Sequence, residues 1–197
     1  SRIWDKDDAG RTMFYDTLAW REIKEYKKFI FKSPAAEICG QLMKTKAVYY
    51  FFDAVFVRSP GTKFETPWHQ DEPYWSIEGY DACTLWMPLV PVKEKNCLSF
   101  VPGSHLFKSI FKQKNFGELT GHPKDQVDFS KVADEEFPDI NANPEHFGVV
   151  SWDMEPGDCI AFNGRTRHGG SGKLDNDRKL RVFTTKWLGD DARIKFR

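Results

Sequence analysis

Two short stretches carry residue types that could hold a metal. In Thr66-Pro67-Trp68-His69-Gln70-Asp71-Glu72-Pro73-Tyr74-Trp75, a histidine and a carboxylate stand two residues apart. Far downstream, Arg167-His168-Gly169-Gly170-Ser171-Gly172 offers a second histidine. On one extended segment, residues i and i+2 face the same way. His69 and Asp71 can therefore present an imidazole nitrogen and a carboxylate oxygen to one centre. With His168 the set becomes two imidazoles and one carboxylate, the facial arrangement that suits Fe(II) and leaves three coordination positions open. A 2-oxo acid could chelate there through two oxygens while O2 takes the remaining position. A bare His-x-Asp pair is a weak signal. It gains weight here because the pair follows an expected strand and His168 follows another, at the start of a Gly-rich turn. Basic residues, Arg178 and Arg181, come next. A chelated 2-oxo diacid needs a cation for its distal carboxylate, and arginine supplies one as a two-pronged fork.

The elements that must position these residues can be read coarsely. The first 46 residues read as helical, with Leu18, Ile23, Tyr26, Phe29 and Ile30 at roughly helical spacing. Ser33-Pro34 is a helix start, and the second helix is expected to reach about Lys44. From Ala47 to Arg58 the chain is dense in Val, Tyr and Phe, as in a buried strand. Further strands are expected at Thr66–Asp71, Ala82–Val90, Cys97–Val101, Gly148–Trp152, Cys159–Phe162 and Leu180–Trp187, with Pro88 marking a bulge or sheet edge. Residues 104–147 are polar and irregular, as in a functional loop or lid. Helices followed by about seven short strands with Pro/Gly turns describe a mainly β protein, a helix-flanked sandwich or jelly roll. A single domain over 1–197 is expected, with a helical part at about 1–46, a jelly-roll core at about 47–197 and the lid-like insertion within it.

Bulk properties narrow the function classes. The chain has 197 residues with 29 basic and 29 acidic side chains, a formal net charge of zero. No basic footprint for nucleic acid is present, and no apolar run approaches the roughly 20 residues that a membrane helix needs. The expected partner is a small molecule. Cys39, Cys83, Cys97 and Cys159 are scattered without a CxxC pair and read as reduced thiols, so a cytoplasmic protein is expected. The opening Ser1-Arg2-Ile3-Trp4 has neither a signal-peptide pattern nor an initiator Met, as expected for a piece of a longer protein.

Several segments in order resemble the phytanoyl-CoA dioxygenase family of Fe(II)/2-oxoglutarate oxygenases. They are Val57-Arg58-Ser59-Pro60-Gly61, Pro67-Trp68-His69-Gln70-Asp71, Leu85-Trp86-Met87-Pro88-Leu89, Asn96 through His105, Met154-Glu155-Pro156-Gly157-Asp158, and His168-Gly169-Gly170-Ser171 through Trp187-Leu188-Gly189-Asp190-Asp191. The resemblance implies a double-stranded β-helix, or jelly roll, with His69, Asp71 and His168 as metal ligands. It implies Fe(II), with 2-oxoglutarate and O2 as co-substrates. Gln70 and Trp86 match positions that line the 2-oxoglutarate site. The family usually has Ser two residues after the distal His; here Gly170 holds that place and Ser171 follows. The family's co-substrate arginine normally sits about eleven residues after that His; here Arg178 and Arg181 are the tenth and thirteenth residues after His168. Strand alternation places them on opposite faces, so only one can enter the barrel; Arg181, in the strand proper, is favoured. Halogenating relatives carry Ala or Gly at the Asp71 position, so the carboxylate points to hydroxylation. The implied reaction is hydroxylation of a substrate C–H, with 2-oxoglutarate converted to succinate and CO2.

Other residues bear less weight. Tyr74 and Trp75 could wall a substrate pocket or serve as core aromatics. His105 reads as structural, and His122 and His146 as surface residues. Lys108, Lys112 and Lys114 could hold an anionic group but read as a solvated face. The alternatives to the oxygenase are a jelly-roll metal enzyme that does not use 2-oxoglutarate, such as an isomerase, and a binding module that has lost turnover.

Overall fold

The computed structural model describes residues 2–6, 9–63, 65–107, 109–111, 135–170, 172, 174–175 and 177–195. Strands β1 (Arg2–Lys6) and β2 (Thr12–Thr17) precede helices α1 (Lys24–Lys32) and α2 (Ala35–Met43). Then follow β3 (Tyr49–Arg58), β4 (Thr66–His69), β5 (Ile77–Glu78), β6 (Ala82–Pro88), β7 (Ser99–Phe100), β8 (Ile160–Asn163), β9 (His168–Gly170), β10 (Leu180–Leu188) and β11 (Arg193–Ile194). They build a six-stranded sheet in the order β1-β2-β3-β10-β6-β8, a three-stranded sheet β4-β9-β7 and a small pair β11-β5, with every strand pairing antiparallel. This is the expected mainly β jelly roll with helices at its N-terminal side.

Strand alternation sorts the side chains of the large sheet. On β6 and β10 the even-numbered residues Trp86, Leu180 and Val182 face the three-stranded sheet and bury against Val92, Phe100, Met154 and Phe162. The odd-numbered Cys83, Leu85 and Trp187 face outward onto Ile30, Ala35 and Cys39 of the helices. Phe183 stacks on Tyr26 at 4.3 Å between centroids and meets Phe29 edge-on at 5.6 Å. Each such pair contributes about 1 kcal/mol beyond its buried area. The helices are thus a lid on the outer face of the sheet, away from the barrel interior.

The N-terminal reading needs correction. β1 pairs antiparallel with β2, and β2 adds to the edge of β3 with Met13 opposite Arg58 and Tyr15 opposite Phe56. Thr12-Met13-Phe14-Tyr15-Asp16-Thr17 is β-branched and aromatic, suited to a pleated surface; the helical spacing counted from Leu18 is real only from Tyr26 onward. Leu18 has φ 59°, a left-handed kink that separates strand from helix. The helix start at Ser33 holds, with its Oγ accepting the Ala35 N–H at 3.3 Å. The strand expected at Gly148–Trp152 reduces to one bridge, Val150 to Phe100, and that at Cys97–Val101 shortens to Ser99–Phe100. Pro88 ends β6 beyond the reach of β8, which pairs only with Cys83 to Trp86, so its missing N–H costs no ladder bond.

Part of the 104–147 insertion packs on the outside of the three-stranded sheet. Phe111, Phe137 and Ile140 bury against Trp68 and Val101. Lys108, Lys112, Lys114 and His122 lie outside the described residues, as does Ser171. Among the described residues no helix is long and apolar enough to cross a membrane.

Candidate metal centre

His69 ends β4 and His168 opens β9, and the two are directly paired across the small sheet. Their rings lie 4.1 Å apart between centroids. Gly169, next on β9, allows this close approach: a Cβ there would meet the Thr66 carbonyl oxygen and the Trp68 Cα at 3.1 Å. Asp71 arrives by a different route from the one expected. The strand stops at His69, and Asp71 adopts helical dihedrals (φ −72°, ψ −42°) at the head of a short 3-10 turn, Glu72–Tyr74. The turn, rather than strand alternation, swings its carboxylate back. Asp71 Oδ1 lies 3.5 Å from His69 Nε2 and 3.7 Å from His168 Nε2. One ligand atom from each of the three falls within 4.8 Å of the others.

The other atoms of these side chains are held elsewhere. His69 Nδ1 is 2.8 Å from the Pro67 carbonyl oxygen, and His168 Nδ1 is 2.9 Å from that of Thr166. A backbone carbonyl can only accept, so each Nδ1 carries the proton and each Nε2 keeps a lone pair for the shared centre. Thr84 Oγ1 donates to Asp71 Oδ2 at 2.9 Å, leaving Oδ1 turned toward the histidines. Burial would raise the Asp71 pKa, but the neighbouring His69, His168 and Lys186 outweigh it. The carboxyl is held well below the usual carboxylate range. Burial, then His69, lower the His168 pKa to about 3, so it is neutral at physiological pH. Two imidazole nitrogens and a carboxylate oxygen aimed at one point are donors that a divalent metal takes, so the donor set fits iron.

The surroundings brace this geometry. Arg165 pairs with Glu72 through two points, Nε to Oε2 and a second nitrogen to Oε1 at 3.0 Å. Gln70, 2% exposed, uses its whole amide on backbone: Nε2 donates to the Ser109 and Arg165 carbonyls and Oε1 accepts the Phe111 N–H. Phe162 and Phe100 pack on His168 at 4.6 and 5.8 Å. Tyr74 meets His69 edge-on at 5.9 Å, while Trp75 packs against Phe51 and Phe52 and on Gly164. Trp86 faces the interior beside Val182.

The two arginines expected near the co-substrate are not brought to the centre. Arg181 is exposed, shares the helix-side face of β10 with Phe183 and acts electrostatically on Tyr26. Arg178 is exposed in the turn before β10. Two other cations face the interior. Arg58, 7% exposed at the end of β3, is paired with Leu180 on β10 and donates to the Gly172 carbonyl; burial lowers its pKa to about 10. Lys186, also 7% exposed, lies across from Thr84 on β6. Spacing could not single them out, but counting parity along β3 and β10 would have. The closing Gly189-Asp190-Asp191 is a clasp: Asp190 accepts the Lys46 and Ala47 N–H groups, and Asp191 those of Tyr80 and Asp81.

The fold and centre define a jelly-roll protein with a two-histidine, one-carboxylate metal site. The family model for Phytanoyl-CoA dioxygenase (PhyH) matches residues 4–179, and the chain belongs to this family. Family and donor set bear out the iron and 2-oxoglutarate read from the sequence. Among solved structures, the chain is similar to the non-heme alpha ketoglutarate dependent epimerase SnoN from nogalamycin biosynthesis. The TM-score is 0.69 at 19% identity, over 100% of this chain and 68% of that one. The carbocyclase SnoK from the same biosynthesis gives 0.69 at 19%, over 99% and 71%. EctD from S. alaskensis, solved with 2-oxoglutarate and 5-hydroxyectoine, gives 0.69 at 16%, over 89% and 56%. At these identities the likeness establishes the fold. A search of curated proteins finds no significant match.

Proposed function

We infer that the chain is an Fe(II)- and 2-oxoglutarate-dependent dioxygenase that hydroxylates a C–H bond of a small-molecule metabolite, releasing succinate and CO2. The observation that carries this reading is Asp71 Oδ1 set between two imidazoles whose Nδ1 atoms are fixed by backbone carbonyls. His69, Asp71 and His168 would hold the metal and serve as the catalytic centre. When bound, iron with 2-oxoglutarate and O2 supplies the oxidising power. The chain's residues do the rest. Thr84 orients Asp71, Phe100 and Phe162 keep water from His168, and the aromatic side chains near His69 receive the substrate.

Arg58 is assigned the distal carboxylate of 2-oxoglutarate. It is a buried guanidinium at the end of β3, facing inward opposite Leu180, the first residue of β10. Trp86 would flank the co-substrate from β6. Gln70 supports the site through the backbone it binds, and Tyr74 and Trp75 are proposed for the substrate side. A cytoplasmic location agrees with the unpaired cysteines.

Anaerobic titration of Fe(II) protein with 2-oxoglutarate tests the reading. A weak visible charge-transfer band is expected in the wild type and lost in His168→Ala; no wild-type band, or an unchanged one in the variant, rejects it. Product mass then separates hydroxylation from the outcomes that the SnoN and SnoK names describe. Hydroxylation adds one oxygen atom, epimerisation leaves the mass unchanged, and ring closure removes two hydrogens.

A further inference from the structure

Lys186 has entered so far only as a charge that acts on Asp71. It is 7% exposed, faces the barrel interior and bends back along β10 so that Nζ donates to Thr184 Oγ1 at 2.5 Å. The ammonium lies 5.2 Å from the centre of the Phe52 ring. An ammonium has three N–H donors; among the described residues one is used, and the Asp71 and Asp53 carboxylates act on it through their charge alone. A buried cation with spare donors is costly unless an acceptor arrives. Its place fixes where that acceptor sits. Lys186 is the cross-strand neighbour of Thr84, which holds Asp71, so its ammonium flanks the metal centre. Phe52, beneath it, packs on Trp75, which also meets Phe51, and these rings make an apolar wall.

The ligand that fits is an anion with an apolar body. 2-Oxoglutarate is the other source of carboxylate in this barrel, and the position of Lys186 argues against it. Arg58 pairs with Leu180, six residues before Lys186 on β10, a separation of roughly 20 Å along the strand. A five-carbon diacid chelated to the metal reaches toward one of them, and only Lys186 borders the aromatic wall. We propose that Lys186 is a specificity-determining residue that binds the carboxylate of the primary substrate, which is therefore an apolar or aromatic monocarboxylic acid. The proposal rests on the oxygenase reading only for which ligand is the co-substrate.

Straight-chain monocarboxylates of graded length and 3-phenylpropionate serve as probes, each beside its amide. Binding is followed by tryptophan fluorescence in the metal-free protein, and by perturbation of the charge-transfer band in the anaerobic Fe(II)·2-oxoglutarate protein. The expected result is that at least one acid binds tenfold or more tightly than its amide. Lys186→Met should erase that preference, Lys186→Arg should retain part of it, and the 2-oxoglutarate midpoint should stay within twofold in both. Lys186→Met replaces a buried charge by an isosteric apolar chain, and unchanged thermal unfolding verifies its fold. The proposal is overturned if no acid is preferred to its amide, if Lys186→Met keeps the preference, or if that variant instead weakens 2-oxoglutarate tenfold. Absence of the charge-transfer band in wild type would reject the oxygenase reading alone, because the fluorescence arm needs neither metal nor co-substrate.

Discussion

Glu72 and Arg165 form a two-point ion pair that ties the turn carrying Asp71 to the loop preceding His168. The contact is reinforced by backbone, with the Glu72 N–H bonded to the Gly164 carbonyl at 2.9 Å. The carboxylate and the distal histidine come from remote parts of the chain, so their mutual distance depends on this brace. Glu72→Gln or Arg165→Lys should weaken Fe(II) binding about tenfold through lost orientation, with stability reduced by about 1 kcal/mol. Calorimetric metal titration and urea unfolding measure the two effects; unchanged metal affinity in both variants would show that the brace does not set the centre.

Thr84 makes the corresponding contact from the large sheet. Thr84→Val keeps the β-branched shape and removes the donor to Asp71 Oδ2. The freed carboxylate can rotate, and metal affinity should fall by 10- to 100-fold. Val suits a strand as well as Thr does, so the thermal midpoint should move little. A variant that binds Fe(II) like the wild type would contradict this role.

The three arginines should separate cleanly in 2-oxoglutarate binding. Arg58→Ala removes the inward guanidinium, and the charge-transfer midpoint should rise about 100-fold, the cost of leaving a buried carboxylate without its partner. Arg178→Ala and Arg181→Ala remove exposed side chains and should stay within twofold. The reverse ranking would return the assignment to the strand arginine.

The buried His168 also predicts a pH dependence of the metal-free protein. Its folded pKa, about 3, lies below the ordinary 6.5. Between these values the unfolded chain holds a proton that the folded protein does not. This contribution to stability is therefore complete above pH 6.5 and declines as pH falls toward 3, by up to about 1.4 kcal/mol per unit. His168→Gln should flatten the slope of urea midpoint against pH between 6.5 and 4.5. An equally steep slope in the variant would assign it to other groups.

Much of this was legible in the sequence because it depends on local chemistry. The ligands were marked by residue type, and the strands that carry them by Val, Tyr and Phe runs between Pro/Gly turns. Other features depend on partners distant in the chain. Strands β1 and β2 join the large sheet along the edge of β3, a partner that no local pattern in residues 2–6 and 12–17 announces. Arg181 was favoured over Arg178 because it lies in the strand proper. The face it occupies follows from the pairing of β10 with β3 and β6, which puts Leu180 and Val182 inside. Thr84, Arg58 and Lys186 carry no motif; each became a candidate once register brought it to the interior.

The pairing of β10 with β3 slips by one residue between Lys186 and Trp187, so that Lys186 faces Phe52 and Trp187 faces Tyr50. The extra residue is Phe51, and both Phe51 and Phe52 reach Trp75 where regular alternation would send them to opposite sides. Phe51 and Phe52 thus belong to the large sheet, while both histidines belong to the small one. Selection can therefore exchange the rings on one sheet and leave the other untouched. The fold thus lets the rings beside the centre change while the metal-holding histidines are kept.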